Sequence, residues 1–445
     1  MTVIYVCTDT RWQSINLVPA LAIGPIDRFL FLSARRGGDF HRADIAHAGR
    51  PQNQFIEAFD RERARQRVNH LLEPGELLTG PVVGVQHWRE GILTALKTAP
   101  QGAEVIVNYL SGPSDVKVAA WLALQELASC RSDLRLRCVL YDPPAGNQPS
   151  RLEWNEWNGT GWQQRIEPVG HLISLEGWLC LHGFTEADSE TRAAREALAM
   201  SLSPELDGLA TLVFHNPQLP SGWFVEMSGA IKHGIPNNLN GLADSLVLGA
   251  EQRALRGAIG DLVTIAAAVK CKMEMHADTQ PDTFSGPHDF IEFFRASWFE
   301  MLVFLELKKR LPPGSQAQPL FDLPICLAVA EEPAAKCESG SKQDGSVYQL
   351  DVGIMANNQF HYVECKAHRA ASKKKRPMQN REHLNHLRRI KEDLVGPGGI
   401  ALLASAVPND EASATARYAE FGHLEFAAGW PAVCSALDRI VSRCG

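Results

Sequence analysis

The sequence contains no long apolar run. No stretch approaches the roughly 20 uninterrupted apolar residues that a membrane span needs, and the opening MTVIYVCTDTRW lacks the basic-then-apolar layout of a secretory leader. The expectation is a soluble, cytoplasmic chain that meets no membrane. Its ten cysteines form no C-x-x-C pair, and Cys7, Cys138 and Cys326 sit inside the apolar runs VIYVC, LRCVL and LPICLAV. They read as small buried hydrophobes of a reducing compartment, which argues against a zinc site or a disulfide framework. Positive charge is also short overall, since the formal net charge is −7, and this argues against general coating of nucleic acid. No internal repeat stands out.

What is present is ordinary globular material, 45% hydrophobic and 21% charged, in a chain of 445 residues. That exceeds the roughly 250 to 300 residues at which one core stops growing, so two or more domains are expected. Strand-like runs at 2–8, 28–33, 104–109 and 136–141 alternate with helical stretches at 14–23, 52–73, 87–98 and 114–129. This spacing predicts a parallel α/β sheet in a first domain, 1–150, closed by the loop PPAGNQPS. A β-hairpin with a turn at Asn158-Gly159 and flanking tryptophans follows. The tryptophans can stack bases, but packing is favoured. The connecting region 151–285 is mostly helical in pattern over 189–270 and carries no chemistry legible in its residues. The third unit, 286–445, reads as a helix at 288–310 and a strand at 322–330. A loop at 333–346 leads to strands 347–356 and 359–367 joined by Asn357-Asn358, then a helix at 379–395, a strand at 399–406 and a closing helix near 430–442.

Chemistry concentrates in YQLDVGIMANNQFHYVECKAH, residues 348–368. Strand side chains alternate with period two, so Glu364 and Lys366 share a face and Cys365 points away. Asp351 lies on the partner strand of the hairpin. Convergent carboxylates suit a hard divalent cation, Mg²⁺ or Mn²⁺, and Lys366 beside it would orient an attacking water or offset charge in phosphodiester hydrolysis. Glu300, a carboxylate among Phe299, Leu302, Val303 and Leu307, is expected to reach the same metal. A bare E-x-K triplet arises by chance about once in such a chain. Glu306-Leu307-Lys308 is a second one, but on a helix, where residues two apart diverge. The competing reading of the strand match is an ordinary cross-strand ion pair. Between Lys366 and Lys391 there are ten Lys or Arg and one acid, Glu382, a segment that reads either as a solvated face or as a phosphate-binding surface.

With Asp351, Glu364-Cys365-Lys366 and Glu300 in place, the third unit resembles the PD-(D/E)xK nuclease superfamily, although Leu350 stands before Asp351 where the family name has Pro. Nearly the full length resembles CRISPR ancillary nucleases that join an N-terminal CRISPR-associated Rossmann-fold (CARF) sensor to this nuclease. The likeness rests further on Ile173–Glu176, His182–Phe184, Trp298–Glu300 and Asn108-Tyr109-Leu110-Ser111-Gly112-Pro113-Ser114-Asp115-Val116-Lys117. The resemblance implies an α/β fold with a Rossmann-like sensor and a restriction-endonuclease-like C-terminal domain. It implies a cyclic oligoadenylate activator, taken as cyclic tetra-adenylate, bound across a homodimer, with DNA as substrate and RNA as a second candidate. The activator site is expected at Thr10, Arg11, Trp12, Gln13 and Ser14 in the first loop, and at Asn108, Ser111, Gly112, Ser114 and Lys117. Ser111, Gly112 and Ser114 lie where a strand feeds a helix N-terminus, a place that favours anions. The family pattern is closer to N-x-T-G-G-T-K, and this chain has Pro113 and one extra residue. Trp12 is open to both stacking and packing. Lys373, Lys374, Lys375, Arg376 and Arg388 are expected to hold the nucleic-acid backbone with little sequence preference. The rival readings are an unregulated restriction or repair nuclease and a ligand-sensing DNA-binding regulator with an inactive nuclease fold.

Overall fold

The computed structural model describes residues 1–8, 12–34, 51–65, 76–80, 84–109, 114–143, 150–216, 256–279, 287–327, 348–367, 376–396, 398–407 and 412–444. The chain forms two compact units: Met1–Thr185 together with Leu327–Ala330 and Asn357–Gln359, and the remainder from Glu186 onward.

In the first unit, β1 (Val3–Thr8), β2 (Arg28–Ala34), β3 (Glu76–Gly80), β4 (Glu104–Asn108), β5 (Arg135–Asp142), β6 (Arg151–Trp157) and β7 (Trp162–Pro168) form one sheet in the order 3-2-1-4-5-6-7. The first five strands are parallel and the last two add as an antiparallel hairpin. Parallel strands need apolar residues on both faces, and the period-two alternation supplies them. Ile4, Val6, Val105 and Val107 pack against the helices Gly84–Lys97 and Ser114–Cys130. Tyr5, Phe29 and Phe31 point the other way, and Phe29 and Phe31 meet Phe55 and Phe59 of the helix Pro51–Arg65. The tryptophan-bearing segment expected to be a linker is hydrogen-bonded to this sheet. Its turn spans Asn158 to Gly161, where the Asn158 carboxamide accepts from the Thr160 and Gly161 N–H groups. Trp157 and Trp162 pack on each other, and Arg137 lies over Trp154, so packing accounts for these rings.

A second sheet is formed by β8 (Phe184–Glu186), β9 (Gln318–Leu327), β10 (Tyr348–Ala356), β11 (Gln359–Lys366), β12 (Ala401–Ser405) and β13 (Glu425–Ala428) in the order 13-12-11-10-9-8. β9 and β10 are antiparallel, while β11, β12 and β13 run parallel. Asn357 and Asn358 close the β10–β11 hairpin at φ 46° and 61°, the left-handed region that asparagine tolerates. β9 begins four residues earlier than the expected 322, because Gln318–Phe321 also pair with β10. Residues 328–330, the end of that expected strand, lie outside the described residues. The helices Ser189–Ser201, Ser203–His215 and Arg256–Thr279 bury Leu198, Leu206, Leu209, Leu262 and Val269 in the same core as Trp298–Leu307 and the sheet. Among the described residues, no single helix is long and apolar enough to cross a membrane.

Glu62, fully buried in the first unit, shows how tightly one seam is built. Its carboxylate accepts from the Ser174 N–H at 2.9 Å and from the Ser174 hydroxyl, and Ser174 caps the helix Leu175–Leu181 by accepting from the Gly177 N–H at 3.1 Å. A Cβ on Gly177 would fall inside the contact radius of the Glu62 carboxylate. Gly177→Ala is therefore expected to destabilise this unit by about 2 kcal/mol, read as a thermal midpoint lower by several degrees; an unchanged midpoint would show that Glu62 moves aside freely.

Candidate active site

β11 reads QFHYVECK. Tyr362, Glu364 and Lys366 share one face of the strand, while Val363 and Cys365 turn into the apolar core. A two-residue turn at Asn357–Asn358 sets Asp351 of β10 across from Glu364, as counting back along the two strands shows. The structure brings the predicted residues together. Lys366 Nζ is 2.6 Å from Glu364 Oε1 and 3.9 Å from Asp351 Oδ2. Asp351 Oδ2 also accepts from the Cys365 N–H at 2.7 Å, and the Tyr362 hydroxyl donates to Glu364 Oε2. Glu300 stands in the first turn of the helix Trp298–Arg310, close enough that Lys366 and Glu364 act on its charge. A π-helical turn, Phe293–Ser297, precedes that helix; such turns recur at functional sites.

The electrostatics are those of too many acids for one ammonium. Burial pushes Glu300 up to about 7, the Glu364 charge adds to this, and Lys366 opposes it. Asp351 is raised well above the usual carboxylate range by burial and by the charges of Glu300 and Glu364. Glu364 is also penalised by burial, yet the charge and hydrogen bond of Lys366 and the Tyr362 hydroxyl hold it below its ordinary value. Burial disfavours the Lys366 ammonium, but Glu364 and Asp351 more than offset that, so it is raised.

Oxygen donors from Asp351, Glu364 and Glu300 fit a hard divalent cation in kind, and its charge would relieve the acid surplus. Among the described residues, no three His, Cys, Asp or Glu side chains already close around one point. Lys366 occupies Glu364 and the Cys365 N–H occupies Asp351. One or two carboxylates with retained waters suffice for Mg²⁺, so a closed cage is not required.

Of the expected backbone-binding residues, Lys373, Lys374 and Lys375 lie outside the described residues. So does the Arg376 side chain, although Arg376 opens the helix Arg376–Ile390. Arg388 rests over the Tyr418 ring, as does Arg381. In the first unit, Thr10, Arg11, Ser111 and Gly112 lie outside the described residues. Asn108 is buried, its amide nitrogen within 3.0 Å of the Tyr5 hydroxyl, the Ile15 carbonyl and Asn16 Oδ1. Asn16 in turn donates to Gln13 Oε1 at 2.7 Å and to the Thr8 carbonyl at 2.8 Å. Gln13 and Ser14 are buried. Ser114 begins its helix exposed to solvent, and Lys117 is partly buried one turn on. The Trp12 ring packs 5.4 Å from His182, which lies 5.0 Å from Trp178, so packing accounts for Trp12. Asn108 thus ties the end of β4 to Tyr5 of β1 and to the helix Ser14–Ile23.

No protein-family profile matches the chain, and no curated protein matches it in sequence. Solved structures do. Can2 from Sulfobacillus thermosulfidooxidans, in complex with cyclic tetra-adenylate, aligns with 100% of this chain and 99% of its own at TM-score 0.56 and 14% identity. This chain shares that fold along its whole length. The protein VC1899 from Vibrio cholerae aligns over the same shares, 100% and 99%, at TM-score 0.57 and 14% identity. A type III CRISPR defence DNA nuclease activated by cyclic oligoadenylate aligns with 91% of this chain and 45% of its own at 13% identity and TM-score 0.42, too loose a likeness for comparing folds. The two-unit α/β architecture is that of Can2 and VC1899.

The raised Glu300 has a consequence for stability. With an ordinary value near 4.5 when unfolded and about 7 when folded, the native state holds the extra proton between those limits. Stability should then fall as pH rises from about 4.5 to 7. In chelator, thermal melts should show Glu300→Gln matching wild type at pH 4.5 and exceeding it at pH 8 by on the order of 1 kcal/mol; parallel curves across the range would contradict the assignment.

Proposed function

We propose that the chain is a metal-dependent nuclease switched on by a cyclic oligoadenylate, cyclic tetra-adenylate in the first instance, within type III CRISPR defence. The observation that carries the reading is the face shared by Asp351, Glu364 and Lys366, with Glu300 brought beside it from a neighbouring helix. Full-length likeness to Can2, solved with cyclic tetra-adenylate, supports the activator.

Asp351 and Glu364, with Glu300 directly or through water, are the residues that would hold Mg²⁺ or Mn²⁺. A bound divalent cation supplies Lewis-acid activation of a water and of the phosphodiester. The Lys366 ammonium, already on the acid face, orients the attacking water or stabilises the negative charge that develops on the phosphoryl oxygens. Tyr362 fixes the Glu364 carboxylate by occupying one of its oxygens. The Arg388 segment and the lysines 373–375 are assigned to the backbone of DNA, with RNA as a second substrate; contacts of this kind carry little sequence information. A cyclic, symmetric activator fits a homodimer with an isologous interface.

Wild type should cleave supercoiled plasmid with Mn²⁺ only when cyclic tetra-adenylate is present, and Glu364→Ala should lose at least about 100-fold of that rate. Labelled single-stranded RNA in parallel reactions reports the second substrate. Cleavage without the nucleotide would leave an unregulated nuclease; no cleavage, with DNA binding indifferent to Glu364→Ala, would favour a regulator.

A further inference from the structure

β9 pairs regularly with β10 on both sides of one gap. Leu323 faces Leu350 and Phe321 faces Val352, while Asp322 and Asp351, which lie opposite each other between those pairs, make no ladder pair. Asp322 has a left-handed backbone, φ 53°, a conformation that costs a non-glycine residue on the order of 1 kcal/mol. Its side chain is nonetheless almost fully buried. A strand that needed only to pack would put an extended apolar residue here.

The partners of Asp322 show what holds the departure in place. Its carboxylate takes the Arg195 guanidinium and the Gln349 amide, and the same amide donates to the Asp322 carbonyl at 3.2 Å. Gln349 stands two residues before Asp351 on β10, so it shares the face of that residue. Arg195 comes from the helix Ser189–Ser201, whose Glu196 accepts from the Phe321 N–H at 3.2 Å while Arg192 holds Glu196 at 2.8 Å. One helix therefore grips β9 at the residue before the gap and at the gap itself. A cavity of about 260 Å³ opens beside it, lined by Arg195, Glu292, Ser297, Met301 and Asp322 among others. Ser297 and Met301 belong to the helical segment that carries Glu300.

We propose that Asp322 is a positioning residue for Asp351. By clamping Gln349 across the interrupted ladder, with Arg195 fixing the clamp, it sets the course of β10 just ahead of Asp351. The Asp351 carboxylate is thereby directed to the Cys365 N–H and the Lys366 side of the site. The inference rests on the nuclease reading above.

Asp322→Gly relieves the left-handed backbone and deletes the carboxylate, whereas Asp322→Asn keeps a residue suited to that backbone and an oxygen for Gln349. Both are compared with wild type in kcat and KM for DNA with cyclic tetra-adenylate, in Mn²⁺ affinity by electron paramagnetic resonance, and in thermal midpoint. Residues that orient a metal ligand typically contribute about 10- to 100-fold. The expected result is a loss of that size in kcat and in Mn²⁺ affinity for Asp322→Gly, with KM near wild type. Asp322→Asn should recover most of the loss, and the midpoints should stay within a few degrees. Wild-type kcat and Mn²⁺ affinity in Asp322→Gly would overturn the proposal, as would losses that merely follow the midpoints. If wild type binds and cleaves while Asp322→Gly does so equally, the positioning role alone falls; if wild type neither binds Mn²⁺ nor cleaves, the nuclease reading falls and takes this role with it.

Discussion

A lysine ammonium 2.6 Å from a buried glutamate, with a second acid across the hairpin and a third on the adjoining helix, is the arrangement around which the second unit is organised. Such a group is expensive to bury unless each charge is met. β11 meets the requirement by strict alternation. Val363 and Cys365 fill the apolar core on one side, which fixes Tyr362, Glu364 and Lys366 on the other and leaves no freedom to slip by one residue. The Asn357–Asn358 turn sets the register of the partner strand, and with it the position of Asp351. What remains unbalanced is the acid surplus, carried by the raised Glu300 and Asp351. It makes the site less stable as pH rises.

The first unit solves a different problem with the same economy. Its central strands β1 and β4 are buried on both faces, so the polar groups near their carboxyl ends must be mutually satisfied. Tyr5, Asn16, Asn108 and Gln13 form one buried hydrogen-bonded group there. Open parallel sheets bind ligands outside the carboxyl ends of their strands, and this group stiffens that end of β1 and β4.

Much of this was legible in the residues, for physical reasons. The strands 104–108 and 359–366 and the closing helix 430–442 carry strong periodicity, and reading and structure agree on them within a residue or two. Glu364, Lys366 and Asp351 could be placed because strand alternation and a two-residue turn are short-range rules. Strand β3, ELLTG, and strand β13, EFAA, were missed because Leu, Ala and Gly give little strand propensity, whereas β4 of nearly the same length carries the β-branched run Val105-Ile106-Val107. Tyr362 was within reach, being two residues from Glu364 on the same face. Asp322 left a faint sign as an acid inside LFDLPIC, but its partner Arg195 lies more than a hundred residues earlier, and only the folded chain joins them. For the same reason the helix Ser189–Ser201, helical in pattern but without chemistry legible in its residues, gave no sign of its ion pair with Asp322.

The central claim is that the acids around Lys366 hold a divalent cation. Anomalous scattering from crystals soaked in Mn²⁺ tests it most directly. The account predicts a single strong peak in contact with the carboxylates of Asp351 and Glu364, absent in Glu364→Ala. A map with no peak at those carboxylates under saturating Mn²⁺, with Glu364 still bound to Lys366, would contradict it.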